Sequence, residues 1–273
     1  MSVVHIGDIP VGNGAPLVLF AGPCVVESRD VLMRSAEHLV TLTAALDLPF
    51  VFKSSYKKAN RTSVDAFTGI GIDNALKLLS EVRSAFNVPV ITDVHTNEEV
   101  RMAAGAADVL QIPAFLSRQT DLLVNAGLTG CAVNIKKGQF MAPEDMKYAA
   151  EKVASTGNKN ILLCERGTSF GYHDLIVDMR GLVVMRSFGY PVVMDATHAV
   201  QTPSLGGVSG GNRDFALPLA RAAAAVGIDA LFLETHPHPG SAMSDAANQI
   251  PLDMMESFLT QVLAIDRTIR STL

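Results

Sequence analysis

Short apolar runs alternate with amphipathic segments eight times along the 273 residues, and this alternation constrains the fold more than any other feature. The runs are LVLFAG from Leu17, FVFKSS from Phe50, VPVITDV from Val88 and VLQIP from Val109. AVNIKK from Ala132, NILLCER from Asn160, PVVMDATH from Pro191 and ALFLETH from Ala230 follow. Most are continuously apolar rather than alternating, as strands covered on both faces are. Between them lie segments of helical period, such as Asp73 to Phe86 and Pro143 to Ser155. The second has proline at a first helical position and acidic residues in its first turn, both favoured at helix starts. PLDMMESFLTQVLAIDRTI closes the chain as a helix. Eight β-then-α units with no linker or low-complexity tract predict one domain, residues 1–273, folded as a (β/α)8 TIM barrel. A short extended segment, Val3 to Ile6 with the turn VGNG, precedes it. The competing architecture, a doubly wound open sheet, fits less well because units of similar length leave no point for the strand order to reverse.

Composition narrows the function. Apolar residues make up 48% of the chain, ample for a large core, and the net charge of −5 argues against nucleic acid or an anionic membrane as partner. Charged or turn residues interrupt every apolar run before it could span a bilayer, and MSVVHIGDIP lacks the basic flank and apolar stretch of a secretory signal. Three cysteines without close spacing make no disulfide framework, which fits a reducing cytoplasm.

A barrel of this kind places its chemistry at the C-terminal ends of its strands. Those ends carry Cys24, then Lys53 and Ser55, Asp93 and His95, Gln111 and Lys136. Glu165 and Arg166, Asp195 and His198, and Glu234 and His236 complete the ring. Any one strand-end lysine reads equally well as a solvated group. Lys53, Lys58, Arg61, Lys136 and Arg166 together concentrate positive charge at one mouth of an acidic protein, which suits a small ligand with phosphate and carboxylate groups. In the loop after the second strand, Asn60, Arg61 and Thr62 add an amide, a guanidinium fork and a hydroxyl, a mixture suited to phosphate. The loop PSLGGVSGGNRD, residues 203–214, reads as a mobile lid, a close backbone approach to ligand, or a plain connection.

Cys131 and Cys164 sit among apolar neighbours and read as small core residues, and Cys24 alone would read the same way. Once the barrel closes, however, His198 and Glu234 end the two strands before the first, and Asp245 can reach the same side. Thiolate, imidazole and two carboxylates form a ligand set suited to one divalent ion such as Zn, Fe or Mn. His236 and His238 compete for the imidazole role.

FAGPC, KSSYKKANRTS, PAFLSRQTDLL, NIKKGQF, CERGTSFGY, DATHAVQ and FLETHPHPGSAMSDAANQ, in that order and over nearly the whole chain, resemble the 3-deoxy-D-manno-octulosonate 8-phosphate synthases. The related heptulosonate-phosphate synthases, which use erythrose 4-phosphate, carry a K-P-R-T-S type motif where Ala59-Asn60 stands here. Thr62 replaces the usual serine, and Lys57 stands where an acidic residue is common.

The resemblance implies an enzyme that condenses phosphoenolpyruvate with D-arabinose 5-phosphate and water, releasing phosphate, in lipopolysaccharide biosynthesis. It implies that Lys53, Ser55, Lys58, Gln111, Lys136 and Arg166 bind phosphoenolpyruvate, with Lys136 near the reacting carbon. Asn60, Arg61, Thr62 and Phe115 would hold arabinose 5-phosphate, and Arg118 would reach the phosphate in a neighbouring subunit's site, which implies a homo-oligomer, a tetramer in this family. Asp93 and Asp245 would orient water or sugar. Members with cysteine after Gly-Pro need a divalent metal and members with asparagine do not, so Cys24, His198, Glu234 and Asp245 would be metal ligands. The alternatives are the same chemistry on erythrose 4-phosphate and a barrel that binds a sugar phosphate without chemistry.

Overall fold

The computed structural model describes residues 2–61, 63–202 and 210–272. Eight parallel strands form the barrel: β1 Val18–Gly22, β2 Phe50–Lys53, β3 Val90–Asp93, β4 Val109–Ile112, β5 Ala132–Lys136, β6 Ile161–Glu165, β7 Val192–Asp195 and β8 Ala230–His236. Each pairs with its sequence neighbours, and β8 closes the ring by pairing β1 from Ala230↔Val18 to Glu234↔Gly22. The eight α-helices among the described residues are α1 Arg29–Ala45, α2 Ile72–Phe86, α3 Asn97–Ala104, α4 Thr120–Leu128, α5 Met146–Ala154, α6 Met179–Ser187, α7 Ala216–Val226 and α8 Met255–Arg270. The predicted architecture is therefore the observed one, and the open sheet is excluded by the β8–β1 pairing. The helix predicted over Pro143 to Ser155 begins as a 3-10 turn at Pro143–Asp145 and becomes α-helical only at Met146.

Local chemistry sets the helix starts. Ser28 accepts from Val31 N ahead of α1, and Thr96 accepts from Glu99 N ahead of α3, each satisfying an otherwise orphaned amide. Buried faces of the helices pack on the outward strand residues and form the larger apolar core. A second core fills the barrel, where Phe20, Val51, Ile91, Cys164 and Phe232 pack with Val4, Ile6 and Val11. The predicted extended segment is thus an antiparallel hairpin, Val4–Ile6 against Ile9–Val11, that plugs the barrel. It sits at the N-terminal end, since Ser2 N donates to Gly189 O just before β7 and a Cβ on Gly12 would touch Pro191.

The opposite end is left to polar side chains. Gly22 ends β1 in extended backbone, and a Cβ there would lie 2.1 Å from the Lys53 carbonyl oxygen, so only glycine lets β1 and β2 approach this closely. The loops beyond continue the pairing: Ser55 N donates to Cys24 O and Val26 N donates to Ser55 O. Cys24 and Ser55 are held side by side as a result. At the far side of the closure, Ile250–Pro251 pairs in parallel with the end of β8 and returns the intervening loop, with Asp245, over the mouth.

Candidate active site

One cavity opens at the C-terminal mouth of the barrel, and most of the predicted residues line it. Lys53, Ser55, Lys58 and Asn60 come from the β2 end, Asp93 from β3, and Gln111 and Phe115 from the β4 end. Lys136, Arg166, His198 and Asp245 complete the wall. Phe115 is 55% exposed yet still borders the cavity. A second cavity shares Lys58, Asn60 and Asp245 with the first and extends to Arg61. Thr62 lies outside the described residues, as does most of the 203–214 loop. Arg118 is exposed and sits apart, in a groove with Asp145 and Tyr148, where its carbonyl accepts from Lys152 Nζ at 3.0 Å.

Beneath the cavity the charges interlock. Lys53 is fully buried, and its Nζ donates to Glu234 Oε1 at 3.0 Å, to Ser55 Oγ at 3.1 Å and to Cys24 O at 3.3 Å. Lys58 donates to Ser55 Oγ and lies 3.8 Å from Glu234 Oε1. Burial works against its charge, yet Cys24, Glu234, Asp93 and Asp245 around it raise its pKa well above the usual lysine value. Burial would likewise raise the Glu234 carboxyl, but His198, Lys53 and Lys58 outweigh it and hold Glu234 ionised.

Cys24, Glu234 and Asp245 bring one ligand atom each within 4.8 Å of one another, the only such group of three or more among the described residues. The Cys24 Sγ donates to Asp245 Oδ2 at 3.2 Å, and burial followed by the Glu234 charge pushes its thiol well above its ordinary pKa. Asp245 has φ of +47°, an uncommon left-handed backbone that aspartate tolerates better than most residues. Predicted as a fourth ligand, His198 stands just outside this group. Its Nδ1 lies 2.8 Å from Asp195 Oδ2 and 3.3 Å from Lys136 Nζ, and its Nε2 lies 3.6 Å from Glu234 Oε1. Glu234 Oε2 is buried without a hydrogen-bond partner. A soft thiol, two carboxylates and a carboxylate-oriented imidazole around an unpartnered oxygen are a donor set that fits one divalent ion. His236 takes no part: its Nδ1 accepts from His238 N at 3.0 Å, so its Nε2 donates to Glu27 Oε1 at 2.9 Å.

Residue parity along the strands sorts the remaining charges. Lys136 and Arg166 point into the mouth, while their neighbours Lys137 and Glu165 point outward and pair at 3.3 Å, so Glu165 is no mouth residue. Burial lowers the pKa of Arg166, whose Nη2 donates to Gln201 Oε1 while Nη1 is buried with no partner. Gln201 in turn donates to Asp245 Oδ1 at 3.0 Å. Sequence reasoning missed Gln201, and also Gln249, whose Oε1 accepts from Cys24 N. Both are uncharged, and the one signal towards them is that each ends a stretch carrying the resemblance, DATHAVQ for the first and FLETHPHPGSAMSDAANQ for the second.

The DAHP synthetase I family model matches residues 1–271. A 2-dehydro-3-deoxyphosphooctonate aldolase of Trichlorobacter lovleyi is 53% identical over 98% of both chains, and one of Geobacter metallireducens is 52% identical over the same shares. A third, from Bartonella henselae, is 50% identical over all of this chain and 98% of its own. The chain belongs to the DAHP synthetase I family, on its 2-dehydro-3-deoxyphosphooctonate aldolase branch.

Proposed function

We propose that the chain condenses phosphoenolpyruvate with D-arabinose 5-phosphate and water, giving 3-deoxy-D-manno-octulosonate 8-phosphate and inorganic phosphate for lipopolysaccharide biosynthesis. The observation that carries this reading is the pair of unmatched arginine donors at two joined cavities. Arg166 Nη1 faces burial without an acceptor in the first, and Arg61 Nε does so at the second. Two anionic substrates supply the missing acceptors, one at each end, with their reacting carbons between.

In this reading Lys53, Ser55, Lys58, Gln111, Lys136 and Arg166 hold phosphoenolpyruvate, and Asn60, Arg61, Thr62 and Phe115 hold the aldose. C3 of phosphoenolpyruvate bonds to the aldehyde carbon while water adds at C2. The proton that water loses ends on the aldehyde oxygen, and the C2–O bond then breaks to expel phosphate, whose proton comes from the C2 hydroxyl as the ketone forms. Lys136, above the Phe232 ring and beside Asp195, is the cation nearest the reacting carbon. Asp93 and Asp245 orient water or sugar hydroxyls at the two sides. Holding both partners in register supplies much of the rate enhancement.

Cys24, His198, Glu234 and Asp245 would hold one divalent ion, Zn, Fe or Mn, which when bound polarises an oxygen or keeps water and sugar hydroxyls in place. Arg118, remote from its own cavity, would complete a neighbour's aldose-phosphate site in a homotetramer. The reaction belongs to the cytoplasm, and no helix among the described residues is long and apolar enough to cross a membrane.

Comparing aldose acceptors tests the proposal. Phosphate release from phosphoenolpyruvate is expected with arabinose 5-phosphate and at most weakly with erythrose 4-phosphate. The reverse preference would make the chain a heptulosonate-phosphate synthase, and tight phosphoenolpyruvate binding without turnover on any aldose would make it a binding protein.

A further inference from the structure

Asp93 does not stand alone at the end of β3. Its Oδ2 lies 3.2 Å from His95 Nε2, and its Oδ1 is buried with no partner although Asp93 lines the cavity. On the other edge of the imidazole, His95 Nδ1 lies 3.0 Å from the Tyr56 hydroxyl, which donates to Glu99 Oε2 at 2.8 Å. Lys57 pairs with Glu99 Oε1 and anchors the outer end. The chain of contacts therefore runs from the cavity through Asp93, His95 and Tyr56 to Glu99 at the start of α3, where the Thr96 cap fixes the first turn.

The members hold one another from more than one side. Burial alone would raise the Asp93 carboxyl, but His95, Lys53 and Lys58 hold it well below the usual range, so it accepts and does not donate. Glu99 is lowered too, since the hydrogen bonds from Lys57 and Tyr56 outweigh its partial burial. With a carboxylate at each end, both ring nitrogens of His95 are committed, and Tyr56, fully buried, packs edge-on against the ring at 78° between planes. The ring cannot swing without breaking contacts at two edges, and Asp93 is fixed with Oδ1 as its one unengaged oxygen.

We propose that Tyr56 is a positioning residue for the condensation: with Glu99 it locks the His95 ring, and through that ring it fixes the Asp93 oxygen left for water or a substrate hydroxyl. This inference rests on the activity proposed above. A side chain that acts through another leaves a signature that packing alone does not, because its effect vanishes once the intermediary is removed. Preorganisation of this kind shows in kcat more than in KM.

The test is a double-mutant cycle on the full-length protein, reading phosphate release from phosphoenolpyruvate with arabinose 5-phosphate. Tyr56→Phe is expected to lower kcat about tenfold while both KM values stay within about twofold. In a His95→Gln background the same change is expected to alter kcat by less than about twofold. Equal losses in both backgrounds, or no loss from Tyr56→Phe alone, would overturn the inference. Should Tyr56→Phe melt below the assay temperature, Glu99→Ala removes the acceptor of the Tyr56 hydroxyl instead. Its kcat loss is likewise expected to vanish beside His95→Gln, and persistence of the loss there would count against the inference. An unmutated protein inactive on every aldose would instead overturn the activity itself, whereas an active one indifferent to Tyr56 would remove only this role.

Discussion

Lys136 Nζ stands 2.5 Å from Asp195 Oδ2 and 4.1 Å from the centre of the Phe232 ring, so the cation proposed to lie nearest the reacting carbon is braced by a buried carboxylate and an aromatic face. Asp195 is fully buried, and His198 followed by Lys136 holds it well below the usual carboxylate range against the pull of burial. Lys136→Met strands that charge, which costs about 3–5 kcal/mol for a broken buried pair. The variant is expected to melt at lower temperature and to lose activity by about a thousandfold or more. Adding Asp195→Asn should recover most of the melting temperature and none of the activity, a split that thermal unfolding and phosphate release together would check.

Gly22→Ala tests the crowding of β1 against β2. The added methyl meets the Lys53 carbonyl, a backbone atom that cannot rotate away. Overpacking of this kind costs about 1–3 kcal/mol, and here the displaced segment carries Cys24. The expected result is a lowered melting temperature together with a divalent-metal affinity reduced by about tenfold or more, measured by calorimetric titration.

Acid should loosen the β3 end. Asp93 and Glu99 both have folded pKa values below their unfolded values, which are about 3.9 and 4.3. Such groups contribute stability that is complete above the unfolded pKa and is lost as pH falls through the folded one. The melting temperature of the unmutated protein is therefore expected to fall as pH drops below about 4. Asp93→Asn with Glu99→Gln should start lower at neutral pH and show a shallower decline, as a series of melting curves would reveal.

Cys24→Asn asks what the thiol contributes. An amide of similar size can donate to the Asp245 carboxylate that Cys24 now touches, and it carries no proton that a metal must displace. The variant is expected to keep measurable condensation after chelation. A variant inactive in every condition would show that the ion does more than organise water and sugar hydroxyls.

Much of this was legible in the sequence because parallel strands announce themselves as unbroken apolar runs and barrel chemistry is confined to their ends. Lys53, Asp93, Lys136 and His198 could be placed at one mouth from that rule alone. Strand parity could also have separated Arg166 from Glu165, since β6 sends Leu162, Cys164 and Arg166 inward and leaves Glu165 to Lys137. Other features depended on contacts distant in sequence. Nothing local says that Ile250–Pro251 joins the end of β8 and folds Asp245 back over Cys24, or that Gln201 bridges Arg166 to Asp245. The Tyr56–His95–Glu99 chain is likewise a meeting of the β2 loop with α3, invisible until the barrel brings them together.

The most direct test of metal-dependent condensation is phosphate release from phosphoenolpyruvate and arabinose 5-phosphate by protein stripped with a chelator and then given back Zn, Fe or Mn. Activity is expected to be lost on stripping and restored by a divalent ion, with Glu234→Gln abolishing the restoration. Full activity in the stripped protein would contradict it, returning Cys24, Glu234 and Asp245 to the role of a buried polar cluster.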